Sequence, residues 1–223
     1  MRIFVAGCFV LAFLAPAAAR AGSIFVFTTN TSSLSGSGYI DLQYNGNAGA
    51  GASTATITGF STNGSLGGPA TISLVGDASG NLASAVTILN GVLNSSGYND
   101  YNQAISFGAF ATFQVTLSDP VGGTVTDTSA FIVSYYGSDD ETALLSTDPS
   151  GASALLTVEP NGTVLVQTYQ ASGGGYDTTL GSVPEPSPPL TLLAGLVLLA
   201  ICAAPVRWRR AAPAPLQRDL GSR

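Results

Sequence analysis

Short runs of alternating apolar and polar residues fill the middle of the chain, from residue 23 to residue 182. In the clearest run Ile40, Leu42 and Tyr44 fall on one face of an extended segment, with polar neighbours between them. No stretch of this region repeats its apolar residues with the period of a helix. The pattern therefore predicts an all-β domain, an antiparallel β-sandwich or jelly roll. Its nine predicted strands cover residues 24–27, 39–44, 54–60, 71–75, 85–89, 104–117, 131–136, 154–158 and 163–169.

Asn-Gly pairs separate several of these runs. They occur at Asn45-Gly46, Asn63-Gly64, Asn90-Gly91 and Asn161-Gly162. Such pairs tolerate the positive φ angles of type I′ hairpin turns, so each pair is a predicted turn. The last pair lies inside Glu159-Pro160-Asn161-Gly162, between two apolar runs, and predicts a hairpin with a four-residue loop.

The N-terminus has the pattern of a secretory signal peptide. Arg2 gives a positive start, an apolar run extends from Ile3 to Leu14, and small residues follow. Ala19 and Ala21 both offer a cleavage position, with a small residue two places before each. We therefore predict a signal peptide over residues 1–21, export through the Sec translocon, and cleavage after Ala19 or Ala21.

A second apolar segment lies near the C-terminus. Residues 190–206 contain no charge, and a helix of that length spans about 25 Å, the lower limit for crossing a bilayer. The basic and aromatic group Arg207, Trp208, Arg209 and Arg210 follows directly. We expect a transmembrane helix over 190–206 with this group as its membrane stop. The positive-inside rule then leaves residues 211–223 as a cytoplasmic tail.

Charge divides the chain in the same way. The protein has no lysine and no histidine, and its seven arginines all lie at positions 2, 20, 207, 209, 210, 218 and 223. The region 23–182 carries eleven acidic residues and no basic residue, a formal charge of −11. Such a region would be repelled by phosphate backbones, so nucleic-acid binding is excluded. Without histidine or lysine there is no Ser-His-Asp triad, P-loop lysine or Schiff base.

The C-terminal segments together resemble a known sorting signal. Val183, Pro184, Glu185 and Pro186 stand just before the apolar segment, and the arginine group stands just after it. This order resembles the PEP-CTERM sorting domain, over residues 183–210. The resemblance implies an exported substrate of a Gram-negative exosortase, a membrane-embedded cysteine transpeptidase that cuts near the Pro-Glu-Pro motif. The extension 211–223 departs from the family pattern, whose members usually end soon after the arginines.

The body is also similar to a group of PEP-CTERM proteins of unknown function. The similarity covers the run Phe131–Tyr136, then Asp139-Asp140, then Leu144–Gly151. It implies a β-rich ectodomain, expected over residues 22–182, and offers no catalytic residues to carry over to this chain. We therefore expect a non-enzymatic structural protein of the cell surface or extracellular matrix. Until processing, its C-terminal helix would hold it at the inner membrane.

Two further kinds of site are suggested by the residues. Asp139, Asp140, Glu141 and Asp148 form an acidic loop region, a candidate for weak calcium binding because Ca²⁺ prefers oxygen ligands. Carboxylates could also serve a hydrolase, but no spacing favours one pair.

Six tyrosines are candidates for a sugar-stacking platform, which would make the body a carbohydrate-binding module for an exopolysaccharide. They are Tyr98, Tyr101, Tyr135, Tyr136, Tyr169 and Tyr176. The alternatives to a structural role are this module and, less favoured, a calcium-dependent hydrolase.

Overall fold

A computed structural model describes residues 22–91, 98–122, 124–171, 174–175 and 177–183. The signal peptide, the Pro-Glu-Pro motif after Val183, the predicted membrane helix and the tail lie outside these residues. Within them the chain forms fourteen strands and one short 3₁₀ turn at Pro69–Thr71. The strands are β1 (Ser23–Asn30), β2 (Ser37–Gly46), β3 (Thr54–Thr62), β4 (Ser65–Leu66), β5 (Ile72–Val75), β6 (Ala78–Asn81), β7 (Ala85–Leu89), β8 (Asp100–Ser106), β9 (Phe110–Leu117), β10 (Ser129–Tyr136), β11 (Ala143–Leu144), β12 (Ala152–Val158), β13 (Val164–Thr168) and β14 (Thr178–Val183).

The strands form two antiparallel sheets, which confirms the predicted all-β class. The first sheet has the order β14-β1-β9-β3-β7-β6. The second has the order β13-β12-β10-β2-β8-β4, with β5 pairing β8 and β11 pairing β10 beside this path. Among the described residues no helix is long and apolar enough to cross a membrane.

One apolar core joins the two sheets. Phe27 of the first sheet stacks on Phe113 at 5.0 Å between ring centroids, and it meets Phe131 of the second sheet edge-on at 6.0 Å. The predicted inward face of β2 is confirmed, because Ile40, Leu42 and Tyr44 have no exposed surface. Burial of large rings and branched side chains contributes roughly 1.5 to 3 kcal/mol each. A two-layer β-sandwich of this kind needs no disulfide to close its core.

The longest predicted strand, residues 104–117, is two strands. Its first part belongs to β8 in the second sheet and its second part is β9 in the first sheet. The chain changes sheets at Phe107-Gly108-Ala109, where the Asn63 Oδ1 atom accepts a hydrogen bond from the Ala109 backbone N–H at 2.6 Å. A Cβ atom on Gly108 would lie 2.4 Å from the Gly64 backbone nitrogen, so only glycine fits this crossing.

The Asn-Gly predictions are right for the position of one hairpin, but the type I′ turn is wrong at all four pairs, because none of the four asparagines has a positive φ. The hairpin loop has five residues, 159–163, and not the predicted four. Asn161-Gly162 lies between β12 and β13, with Gly162 at φ 83° and its N–H bonded to the Glu159 carbonyl at 2.9 Å. The other three glycines have no positive φ. Asn90 is instead buried, and its side chain bonds the Ser53 N–H at 2.7 Å and the Gly51 carbonyl at 2.7 Å. Its amide serves buried backbone groups rather than a turn.

Candidate functional site

The polar face of β2 and β8 carries a cluster that the structure buries. Asn102 of β8 lies opposite Asp41 of β2, and Asp100 lies opposite Gln43. Since side chains alternate along a strand, these four residues share the face turned away from the core. Asp41 is only 5% exposed and Asp100 only 7%. Two carboxyl groups are thus held on the outer face of the second sheet with little contact with water.

The turn between β10 and β11 places a third carboxyl group beside them. Asp140 has φ 57°, a left-handed conformation that aspartate tolerates better than most residues. Its N–H bonds the Gly137 carbonyl at 3.1 Å, and its Oδ1 atom accepts a hydrogen bond from the Asn102 amide at 2.9 Å. The turn therefore directs Asp140 onto the outer face of β8.

The preceding residue, Asp139, holds this turn in shape. Its Oδ1 atom accepts hydrogen bonds from the backbone N–H groups of Glu141 at 3.2 Å and Thr142 at 3.0 Å. Its Oδ2 atom accepts a hydrogen bond from the Thr142 hydroxyl at 2.5 Å. Such bonds to its charged form lower the pKa of Asp139 to about 2. Asp139 is thus a structural anchor for the turn that presents Asp140.

Together these groups line an open cavity of about 450 Å³, which we name the outer-face pocket. Its size falls in the range of small-molecule sites, roughly 300 to 1,000 Å³. The lining combines three carboxyl groups, two amides and two phenol rings. Its residues are Asp41, Gln43, Tyr98, Asp100, Asn102, Tyr136 and Asp140.

The carboxyl groups of Asp41 and Asp100 lie close enough to shift each other's pKa and to bond each other. Burial is the largest cause that raises the pKa of Asp100, to about 8, followed by the negative charge of Asp41 and a hydrogen bond between the two groups. Burial also raises the pKa of Asp41, while hydrogen bonds from Asp100, Gln43 and Asn102 lower it. A pKa of about 8 means that Asp100 keeps its proton at neutral pH and can donate a hydrogen bond to Asp41. The amide of Gln43 adds a bond of 3.1 Å to the Asp41 Oδ1 atom.

One oxygen in the pocket lacks a partner. The Asp100 Oδ1 atom is buried and has no hydrogen bond, the one such side-chain atom within the described part of the chain. An unsatisfied buried polar atom costs about 1–3 kcal/mol. A ligand that brought a donor to this wall of the pocket would satisfy it.

The arrangement limits the chemistry of the site. Carboxyl groups that share a hydrogen bond are closer than the roughly 5 Å or more that glycosidases place between their two acids. Over the described residues, no three acidic side chains are grouped so as to hold a metal ion. The pocket offers hydrogen bonds, negative charge and aromatic faces, which are means of binding a ligand.

The predicted acidic loop is divided by the structure. Of its four residues only Asp140 reaches the outer-face pocket. Asp139 bonds its own turn, and the Asp148 Oδ1 atom bonds the Ser150 N–H at 2.9 Å and the Ser150 hydroxyl. Glu141 is exposed on the turn. The four carboxylates proposed as calcium ligands are therefore not brought together in this structure.

The six tyrosines are divided in the same way. Tyr101 and Tyr135 are buried in the core, where the Tyr101 hydroxyl bonds the Gln103 Oε1 atom at 2.5 Å. Tyr98 and Tyr136 line the outer-face pocket, and Tyr169 lies apart from it. Tyr176 lies outside the described residues. The sequence prediction of one platform of tyrosines is wrong, but two of its members do flank a polar cavity.

Asp41 and Asp100 were missed as site residues. A sequence signal exists for Asp41 alone, which stands on the polar face of the predicted strand 39–44. Asp100 lies before the predicted strand 104–117, and only the structure shows that β8 begins at Asp100. An ionisable residue inside a strand is either exposed or held in a specific site.

A second cavity, of about 500 Å³, lies at the start of β3 and the ends of β7 and β9. Its lining includes the apolar residues Ala52, Leu89 and Val121 and the polar residues Asn90 and Asp119. It contains one carboxyl group, whereas the outer-face pocket contains three. Comparison of the chain with family models, with curated proteins and with solved structures found no match.

Proposed function

We propose that this chain is an exported, non-enzymatic structural protein of the cell surface or extracellular matrix, sorted by an exosortase. The observation that carries the proposal is the position of β14. This strand pairs with β1 at the edge of the first sheet and ends at Val183, the first residue of the sorting motif. A cut after Val183 would therefore leave every described strand in the released body.

The remaining steps rest on the terminal segments. Sec would export the chain and signal peptidase would cut after Ala19 or Ala21. The helix over 190–206 would hold the body at the inner membrane, with Arg207 and its neighbours on the cytoplasmic side. This route delivers a jelly-roll-like β-sandwich to the outside of a Gram-negative cell.

Mass spectrometry of the protein from its native host tests the route. We expect a mature N-terminus near residue 22 and a C-terminus near Pro184-Glu185-Pro186. A Glu185→Ala variant should keep residues 183–223, because the single charge of the motif is lost. Glu159→Ala is the matched control, since Glu159 also precedes a proline but lies in the β12–β13 connection. A mature wild-type protein that retains residues 183–223 would disprove the sorting.

The outer-face pocket supports a second function, recognition of a saccharide in an exopolysaccharide. Tyr98 and Tyr136 line the same cavity as the amides of Gln43 and Asn102 and the carboxyl group of Asp140. Aromatic rings pack against sugar faces, while amides and carboxylates bond hydroxyl groups. We expect saturable binding of an oligosaccharide by the full chain, with no change in the length of that oligosaccharide during incubation. Absence of saturable binding to every sugar would exclude this function, and shortened products would show catalysis.

A further inference from the structure

We propose that the outer-face pocket binds a sugar unit that carries a protonated primary amine, such as a deacetylated hexosamine of an exopolysaccharide. This inference rests on the saccharide recognition proposed above and names its ligand class. It depends on four observations: the charge of the pocket, the unpartnered oxygen, the spacing of the carboxyl groups and the aromatic walls.

The pocket carries negative charge that the described chain does not neutralise. Asp41, Asp100 and Asp140 all line it, and residues 21–206 contain no Lys, Arg or His. Burial raises the pKa of both Asp41 and Asp100, so a nearby positive charge would stabilise their ionised forms. A cationic group is the natural complement of this field, and a uronic acid would be repelled.

The unpartnered oxygen indicates a ligand that donates hydrogen bonds. Asp100 is more than nine-tenths buried and lines the pocket, yet its Oδ1 atom has no partner. An ammonium group has three N–H donors and no acceptor. One ammonium group could therefore donate one hydrogen bond to this oxygen and another to a neighbouring carboxylate. The Oδ1 atom would give up no existing hydrogen bond in doing so.

The spacing of the carboxyl groups favours an organic cation over a metal ion. The described acids include no set of three that could hold a metal. The amide of Asn102 donates a hydrogen bond to Asp140 at 2.9 Å and also bonds Asp41, so an amide already accompanies these two acids. A cavity of about 450 Å³ accommodates a sugar ring, which is far larger than one metal ion.

The walls of the pocket suit the rest of a sugar. Tyr98 is 41% exposed, so part of its ring is available to a ligand, and Tyr136 lines the same cavity. An ammonium group close to these rings would also gain cation–π attraction. Gln43 lines the cavity too, and beside the N–H that bonds Asp41 its amide has a second N–H for a ring hydroxyl.

Isothermal titration calorimetry of the full chain tests the proposal, in mild detergent at pH 6. The ligands are three hexasaccharides of the same linkage. They are a glucosamine hexamer, its N-acetylated form and a neutral glucose hexamer. We expect the glucosamine hexamer to bind at least about tenfold more tightly than the other two, since charge-assisted hydrogen bonds contribute about 1.5–3 kcal/mol. A simple diamine at the same pH should bind more weakly, because it has no ring to place against Tyr98.

Two variants of equal charge separate the pocket from general attraction to an acidic protein. Asp140→Asn should weaken glucosamine binding about tenfold and still fold, since asparagine also tolerates a left-handed backbone. Asp148→Asn removes the same charge outside the pocket and should leave the affinity unchanged. Equal losses in the two variants would overturn the proposal.

The remaining outcomes distinguish this inference from the function on which it rests. If the N-acetylated or neutral hexamer binds as tightly as the glucosamine hexamer or more tightly, the pocket does not require an amine, and saccharide recognition stands. If the diamine binds as tightly as the glucosamine hexamer, the pocket does not require a sugar ring. Binding of none of the ligands overturns both the inference and saccharide recognition. The exosortase route is tested separately and is unaffected by any of these results.

Discussion

Asp100 and Asp139 are the same residue type in opposite surroundings. Asp100 lies under the outer-face pocket, nearly buried, beside a second carboxyl group, and its pKa is raised to about 8. Asp139 is fully exposed on a turn, accepts three hydrogen bonds, and has its pKa lowered to about 2. At neutral pH Asp100 therefore keeps its proton, whereas Asp139 has lost its own. The difference shows that a carboxyl group at a binding site and one that anchors a turn can be told apart by the groups around them.

The largest expected effect comes from substituting Asp100, and it is on how the free energy of unfolding depends on pH. The unfolded chain loses the Asp100 proton near pH 4, while the folded chain keeps it until about pH 8. The contribution of this group is thus fully present below pH 4 and is lost as pH rises through 8, at no more than about 1.4 kcal/mol per pH unit. The variant Asp100→Asn no longer titrates at this position, and its amide N–H can still donate a hydrogen bond to Asp41. Urea unfolding at pH 5 and pH 8 should therefore show a smaller loss of stability in the variant than in wild type. Equal losses would mean that Asp100 does not hold its proton.

A smaller effect is expected at the neighbouring carboxyl group. Asp41→Asn removes the negative charge next to Asp100, so the pKa of Asp100 should fall by about 1 pH unit. It should stay above the ordinary value, because burial is the largest cause of the shift. Carboxyl ¹³C NMR titration measures this directly. The same titration of Asp148→Asn serves as control, and an unchanged Asp100 pKa in Asp41→Asn would show that the two groups do not interact.

The smallest effect is expected at the turn. Asp139→Ala removes the acceptor for the backbone N–H groups of Glu141 and Thr142, so their hydrogen exchange should become faster while the unfolding midpoint stays the same. In wild type this anchoring is present above the ordinary aspartate pKa and is lost as pH falls through about 2. Slow exchange at Thr142 in the variant would show that the turn does not depend on Asp139.

Alternation along single strands predicted much of the fold. Ile40, Leu42 and Tyr44 are buried because one face of β2 packs on the core, which is a local property of the sequence. The same alternation places Asp41 and Gln43 on the opposite face, where solvent would be expected. The boundary at Gly108 was missed because it depends on contacts with Asn63 and Gly64, which belong to a distant part of the chain.

The outer-face pocket could not be assembled from the sequence for the same reason. Asp41, Asp100 and Asp140 come from three separate parts of the chain. They meet only through the register of β2 against β8 and the turn after β10. Register between distant strands follows from the whole core, not from the pattern of either strand. The acidic turn was visible in the sequence, but which of its carboxyl groups faces the sheet depends on the left-handed backbone of Asp140.

The place of β14 also determines how the body would respond to mechanical load. Within the described residues β14 is hydrogen-bonded to β1 alone, with Val183 opposite Ile24. A pull on the chain beyond Val183 would act first on this edge strand, which its pairing with β1 holds in the sheet. While tethered at its C-terminus the body would thus have a weak point in its last strand, and release from the tether would remove the load.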